Sequence, residues 1–183
     1  QIFELEMERV FGHTWLYVGH ESQVANVGDF FRTTLGTQPV VMSRAEDGEI
    51  CVIYNRCGHR GAIVCNEAKG NTDGFRCCYH GWAYKLTGEL AFVPMRRGYP
   101  DTFDLKSKDL GMVSLPRVVN YRGFVFASHA RDGLTLDECL GPIKDSIDGI
   151  IEAAPDGEID LTGGMHRYQF AGNWKYQVEN IID

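Results

Sequence analysis

Cys57-Gly58-His59-Arg60-Gly61 and Cys77-Cys78-Tyr79-His80-Gly81-Trp82 are the two stretches on which this sequence turns. Between His59 and Cys77 stand 17 residues, so the pattern is C-x-H-x17-C-x2-H. Each half supplies one thiol and one imidazole in a loop loosened by glycine, with Gly58 and Gly61 in the first and Gly81 in the second. Two loops of this kind can pinch a metal centre between them.

Three readings of the pattern compete. The first is chance, with the four side chains serving packing or the surface. The second is a structural zinc ion, but zinc spacing usually pairs like with like, C-x2–4-C and then H-x3–5-H. Here each loop carries one of each. The third is a [2Fe-2S] cluster in which Cys57 and Cys77 hold one iron and His59 and His80 the other. Neutral imidazoles in place of thiolates leave the reduced cluster less negative and raise its potential. The mixed pairing favours this third reading.

Outward from the motif the texture is that of short strands. Phe30–Leu35, Pro39–Arg44 and Glu49–Asn55 are β-branched or aromatic runs, and Glu46-Asp47-Gly48 is a hairpin signal between the last two. Gly74–Cys77, Trp82–Lys85, Glu89–Val93, Leu115–Val119 and Gly123–Ser128 continue the series. About eight or nine short strands at close spacing predict a mainly β chain, a small antiparallel barrel or sandwich. The flanks differ. Phe3, Met7, Val10 and Phe11 share a helical face that Gly12 ends. Thr135-x-x-Glu138 is a capping box ahead of a stripe from Leu136 to Ile151, kinked by Gly141-Pro142. A strand over about 165–170 precedes a second helix start at Asn173, with Trp174, Val178 and Ile181 on one face.

Composition narrows the function. At 183 residues with 44% hydrophobic and 23% charged, this is a packed domain with some extra pieces. A net charge of −7 argues against nucleic acid as a partner. No apolar run is long enough to cross a membrane. Six cysteines are too few for a disulfide scaffold, and Gln1–Phe11 lacks the apolar core of a secretory leader, so a reducing, cytoplasmic setting is expected. Cys51 and Cys139 read as packing residues, and the pattern assigns no role to Cys65 or Cys78. His13, His20, His129 and His166 stand alone and read as structural. The chain opens without Met and stops at Asp183 inside an apolar periodic pattern, which leads us to expect a piece of a longer protein.

The motif Cys57-x-His59-Arg60-Gly61 with Cys77-x-x-His80-Gly81-Trp82 resembles the Rieske domain of ring-hydroxylating non-haem iron oxygenases, in their large (α) subunit. The resemblance implies a Rieske-type β barrel or sandwich holding the cluster on two hairpin loops, flanked by helices of an α+β catalytic domain. Residues 14–134 would be the Rieske domain, and 1–13 and 135–183 parts of the catalytic domain. His59 and His80 would be the exit for electrons, with Arg60 and Trp82 supporting them. Rieske proteins of the cytochrome bc type carry an extra Cys in each loop. Ala62 and Tyr79 stand there in this chain, which implies a lower potential.

A second resemblance lies in the tail. Phe170-Ala171-Gly172-Asn173-Trp174-Lys175 with Glu179-Asn180-Ile181-Ile182-Asp183 is similar to the segment that opens the catalytic domain in benzoate- and toluate-type dioxygenases. It implies that Asp183 is the carboxylate bridging a cluster His of one subunit to the mononuclear Fe(II) site of the next, whose ligands would lie beyond Asp183. Also implied are electrons from NAD(P)H through a reductase or ferredoxin, O2 and a small aromatic substrate, in particular an aromatic acid. A trimer with or without small β subunits completes the picture. The rival is a stand-alone Rieske ferredoxin, an electron carrier that would lack the 136–151 helix and the Asn-Trp-Lys tail.

Overall fold

The computed structural model describes every residue except Met165, Arg167 and Asp183, and only the backbone of Ile182. Among the described residues ten strands form three antiparallel sheets. The middle one has the order β4-β3-β2-β5, from Ile50–Tyr54 (β4), Gln38–Arg44 (β3), Asp29–Leu35 (β2) and Lys69–Asn71 (β5). One flanking sheet is β6-β7-β8 (Phe75–Arg76, Ala83–Tyr84, Leu90–Phe92). The other is β1-β10-β9 (Leu16–His20, Phe124–Ser128, Arg117–Tyr121).

Period-two alternation in the middle sheet builds two cores. In β3, Val40 and Met42 join Val18, Leu35, Val52 and Val125 on one face. Val41 and Ile53 join Phe75, Trp82, Tyr84, Leu90 and both motif cysteines on the other. The central strand β3 is therefore buried on both faces, and Val40–Ser43 read as an unbroken buried run. Ser43 spans the layers by donating its hydroxyl to the Leu86 carbonyl at 2.8 Å.

The expected β architecture is present, with differences at the edges. β1 and β5 were not anticipated; β5 is Lys-Gly-Asn, fully exposed and strand only by pairing with β2. The first helix spans Ile2–Glu6 (α1) and continues as a wider π turn over Met7–Phe11. The 136–151 stripe is two helices, Leu136–Leu140 (α2) and Ile143–Glu152 (α3). Gly141, at φ +47°, breaks them where a kink was expected. The Thr135–Glu138 capping box forms, with the Glu138 carboxylate accepting from Thr135 N–H at 2.8 Å. The strand expected over 165–170 is absent from the described part of that stretch. Tyr168–Phe170 are exposed and pair with no described strand. The last helix, Lys175–Ile182 (α4), starts where Asn173 signalled, and Asn173 Oδ1 accepts from Lys175 N–H at 3.0 Å.

Helix α1 and the tail meet. Trp174 donates its indole N–H to Glu6 at 3.0 Å and packs edge-on against Phe11 at 5.2 Å. Lys175 pairs with the same carboxylate, and these donors hold Glu6 below the ordinary carboxylate range. The two ends of the chain thus dock on each other outside the sheets.

Candidate functional site

The two motif loops are the same turn used twice. In the first, Cys57 N–H donates to the Ala62 carbonyl at 2.8 Å and Gly61 N–H to the Cys57 carbonyl at 2.8 Å. In the second, Cys77 N–H donates to the Trp82 carbonyl at 2.8 Å and Gly81 N–H to the Cys77 carbonyl at 3.0 Å. Gly61 and Gly81 sit at φ +72° and +71°, the left-handed region where other residues are strained. Six-residue tips with matching bonds therefore present a Cys at the base and a His near the apex, although the His is two residues on in one and three in the other.

Burial divides the four side chains. Cys57 and Cys77 are 5% and 1% exposed, inside the core beneath the tips, whereas His59 and His80 are exposed. The imidazoles stand edge to face with centroids 4.8 Å apart. His59 lies flat on buried Trp82, 4.7 Å away and 10° from parallel. Burial, then the nearby His80 and the Arg60 cation, hold His59 below the usual histidine value. Desolvation raises the Cys77 thiol, the N–H groups of Tyr79 and His80 pull it back, and the neighbouring Cys57 raises it again.

Several supports were not singled out by the motif. The Tyr84 hydroxyl lies 2.9 Å from Cys57 Sγ and accepts from Gly58 N–H at 3.1 Å. Asn55, fully buried, ties off the chain leaving the first tip. Its Oδ1 accepts from Val64 and Cys65 N–H at 3.1 and 2.8 Å, and its Nδ2 donates to the Cys65 carbonyl at 2.7 Å. Residues 108–111 lie over Gly58, where a Cβ would fall 2.6 Å from the Gly111 oxygen and closer still to that of Leu110. A gap in a β run followed by a Cys is a weak signal for Asn55. Tyr84, four residues past His80, had a stronger one, because an aromatic hydroxyl inside an apolar strand needs a partner.

Other residues fall elsewhere. Arg60 leans over the Tyr79 ring at 5.9 Å. Cys139 is exposed beside Thr14 and does not pack in the core, while Cys51 is half-buried and Cys78 exposed. His20 is buried, and His129 bonds to Tyr54 at 2.6 Å, both structural as expected. Asp183 lies outside the described residues, so the structure says nothing of its expected bridging position. A cavity of about 570 Å³ lies behind the first tip, lined by Phe11, Leu35, Tyr54, Arg56 and Gly58, and neither imidazole borders it.

The donor set suits a two-centre cluster. The donors come as a buried pair of soft sulfurs and an exposed pair of imidazole nitrogens, which two linked irons can share.

Comparison with known proteins agrees. Residues 14–109 match the Rieske [2Fe-2S] domain. Over the whole chain the sequence is 40% identical to toluate 1,2-dioxygenase subunit alpha of Pseudomonas putida and 41% to the anthranilate 1,2-dioxygenase large subunit of Acinetobacter baylyi. It spans 40% and 38% of their lengths, so about two fifths of the curated relatives it matches. Among solved structures, naphthalene 1,2-dioxygenase from Rhodococcus aligns with 81% of this chain and 34% of its own, at TM-score 0.77 and 35% identity. A quaternary ammonium Rieske monooxygenase aligns with 81% of the chain and 40% of its own, at TM-score 0.72 and 29% identity. The chain belongs to the Rieske [2Fe-2S] domain family, in the form carried by the large subunits of ring-hydroxylating oxygenases.

Proposed function

We propose that this chain is the electron-delivering part of an aromatic-ring-hydroxylating oxygenase large subunit. Cys57 and Cys77 hold one iron of the [2Fe-2S] cluster and His59 and His80 the other. The observation that carries the reading is the pair of matched tips with cysteines buried beneath and imidazoles exposed above. When bound, the cluster supplies one-electron chemistry. The chain's own residues set its surroundings. The core around Cys57 and Cys77 excludes water, Tyr84 and the tip N–H groups face the sulfurs, and Trp82 fixes the plane of His59 so that its outer edge is the shortest way out.

In this reading residues 14–134 are the electron-transfer module, and α1, α2–α4 and their links belong with a catalytic domain. Electrons originate in NAD(P)H, arrive through a reductase or ferredoxin, and leave across a subunit boundary for a mononuclear Fe(II) with Asp183 as the bridging carboxylate. O2 then hydroxylates a small aromatic substrate. The relatives named for toluate, anthranilate and 2-halobenzoate favour an aromatic acid. A head-to-tail ring of large subunits, with or without small β subunits, follows from transfer between copies. A cytoplasmic setting fits a cysteine count of six, two of them cluster ligands in this reading, which is too few for a disulfide scaffold. A stand-alone carrier is disfavoured because the similarity to dioxygenase large subunits runs through the flanking helices.

Anaerobic purification followed by EPR of the reduced protein tests this. A rhombic two-iron signal that disappears in C57S and in H80A is expected. A colourless protein carrying zinc would reject it.

A further inference from the structure

We propose that the cavity behind the first tip is a binding site for a small aromatic carboxylate, and that its occupant braces the Cys57–Gly58 turn. At about 570 Å³ it falls among small-molecule pockets, which span about 300–1,000 Å³. The π turn over Met7–Phe11 brings Met7 and Phe11 to one wall, and single turns of this kind recur at functional sites. Trp174 meets Phe11 edge-on at 5.2 Å, so the tail braces that wall. Leu35 and Val113 make the rest of the lining apolar.

Tyr54 and His129 add two flat rings to the lining, stacked 20° from parallel. A carbonyl can only accept, so His129 donates from Nε2 to Leu35 O at 3.2 Å and takes the Tyr54 hydroxyl hydrogen on Nδ1 at 2.6 Å. Both groups are thereby spent as donors, and the charged donor left in the lining is Arg56. Its Nη2 donates to Gln38 Oε1 at 2.7 Å, which fixes the guanidinium and leaves its other N–H groups for a ligand. Among the described residues Arg56 is in no ion pair. Its charge is felt at the cavity, where it opposes the burial that raises the Tyr54 phenol. No side chain bordering the cavity is acidic, although the chain carries 25 Asp and Glu.

A fixed guanidinium, flat rings and aliphatic walls complement a planar ring bearing one carboxylate. A sugar phosphate or nucleotide is disfavoured, since its hydroxyls would be buried against Phe11 and Leu35 without partners. Cys57 and Gly58 also border the cavity, as does Gly111, whose carbonyl oxygen covers Gly58. A ligand seated there touches the turn and its cover together and holds both in place. That effect on the cluster rests on the electron-transfer reading above, whereas binding stands on the cavity alone.

Calorimetric titration of the cluster-loaded full chain with benzoate tests the site, with benzamide as uncharged control and cyclohexanecarboxylate as non-planar control. One-site binding with a Kd of about 1 mM or tighter is expected, at least about tenfold tighter than benzamide and about threefold tighter than cyclohexanecarboxylate. R56Q should weaken benzoate at least about tenfold and leave benzamide unchanged, and V113W, which narrows the cavity, should weaken both. Saturating benzoate should slow iron release to a chelator at least about threefold in the parent but not in R56Q. No saturation by benzoate, equal affinity for benzoate and either control, or parent-like binding in both variants would overturn the site. Self-association that is abolished by V113W and indifferent to benzoate would assign the cavity to a second copy of the chain, and would overturn it too. Iron release unchanged by bound benzoate would overturn the bracing. A chain that binds benzoate as described yet never takes up the cluster would overturn the electron-transfer reading and leave the site standing.

Discussion

The hydroxyl of Tyr84 stands 2.9 Å from the sulfur of Cys57, in a side chain only 1% exposed. Because Gly58 N–H already donates to that oxygen, the phenol's single hydrogen is left for the sulfur. Burial and the adjacent Cys57 also push the Tyr84 proton affinity up, so the phenol stays a donor across the working range.

A hydrogen bond to a ligand sulfur favours the reduced, more negative state of the centre. Removing it in Y84F should therefore lower the reduction potential. A charge-assisted hydrogen bond contributes about 1.5–3 kcal/mol, and if a third to a half of that separates the two redox states the one-electron shift is roughly −20 to −65 mV. An EPR-monitored redox titration checks this, and an unchanged potential in a fully loaded Y84F would reject it.

The stack of His59 on Trp82 makes a second prediction. Trp82 is 3% exposed and also meets Phe103 edge-on at 6.1 Å, so it is both core and backing plate. W82A should lose about 3–5 kcal/mol of stability to denaturant by leaving a cavity. W82F keeps a flat face and should retain the cluster, but with altered EPR g-anisotropy as the imidazole plane relaxes. Were W82F spectroscopically identical to the parent, the stack would have no part in orienting His59.

Two glycines of the first tip should behave differently although they are three residues apart. At Gly58 a Cβ collides with backbone oxygens of Leu110 and Gly111, and backbone cannot step aside cheaply. At Gly61 nothing lies within 4 Å of a Cβ, and only the left-handed φ resists. G61A should cost about 1–2 kcal/mol and keep the cluster. G58A should cost more and weaken cluster retention, because the 108–111 cover must lift. Urea midpoints with iron analysis rank the two, and the reverse order would sink the argument.

Much of this site is legible in sequence because its chemistry is. Thiol and imidazole at C-x-H and C-x2-H have few other reasons to occur between glycine-rich turns. The β texture was legible wherever β-branched and aromatic residues run together, as in β3 and β10. It was not legible in β5, whose three exposed residues are held only by β2. Nor could spacing reveal that tips with His at different offsets are the same six-residue turn, since that identity lies in backbone hydrogen bonds. Asn55 and Tyr84 escaped because their partners are 10 and 27 residues away in the chain.

His20 carries the pH prediction. It is 3% exposed, and its Nδ1 accepts from Ser22 N–H at 3.2 Å. Its ring meets Phe124 edge-on at 5.0 Å and crowds Gly123 too closely for any Cβ. Burial lowers its proton affinity below the ordinary value of 6.5, with Glu21 and Asp160 only partly opposing. The unfolded chain therefore binds this proton more readily than the folded one. Stability is full above about pH 6.5 and falls as pH drops below it, by at most about 1.4 kcal/mol per pH unit for one proton. The carboxylates held low by their partners, such as Glu138 and Asp160, begin to lose their contribution only near pH 4.5 and below, outside a comparison of pH 7.5 with 5.5. H20N keeps an acceptor for Ser22 N–H but cannot take up the proton. It should be less stable at pH 7.5 from lost packing, yet show a smaller drop to pH 5.5 in urea midpoint. A parent and variant that lose equal stability over that interval would place the acid sensitivity elsewhere.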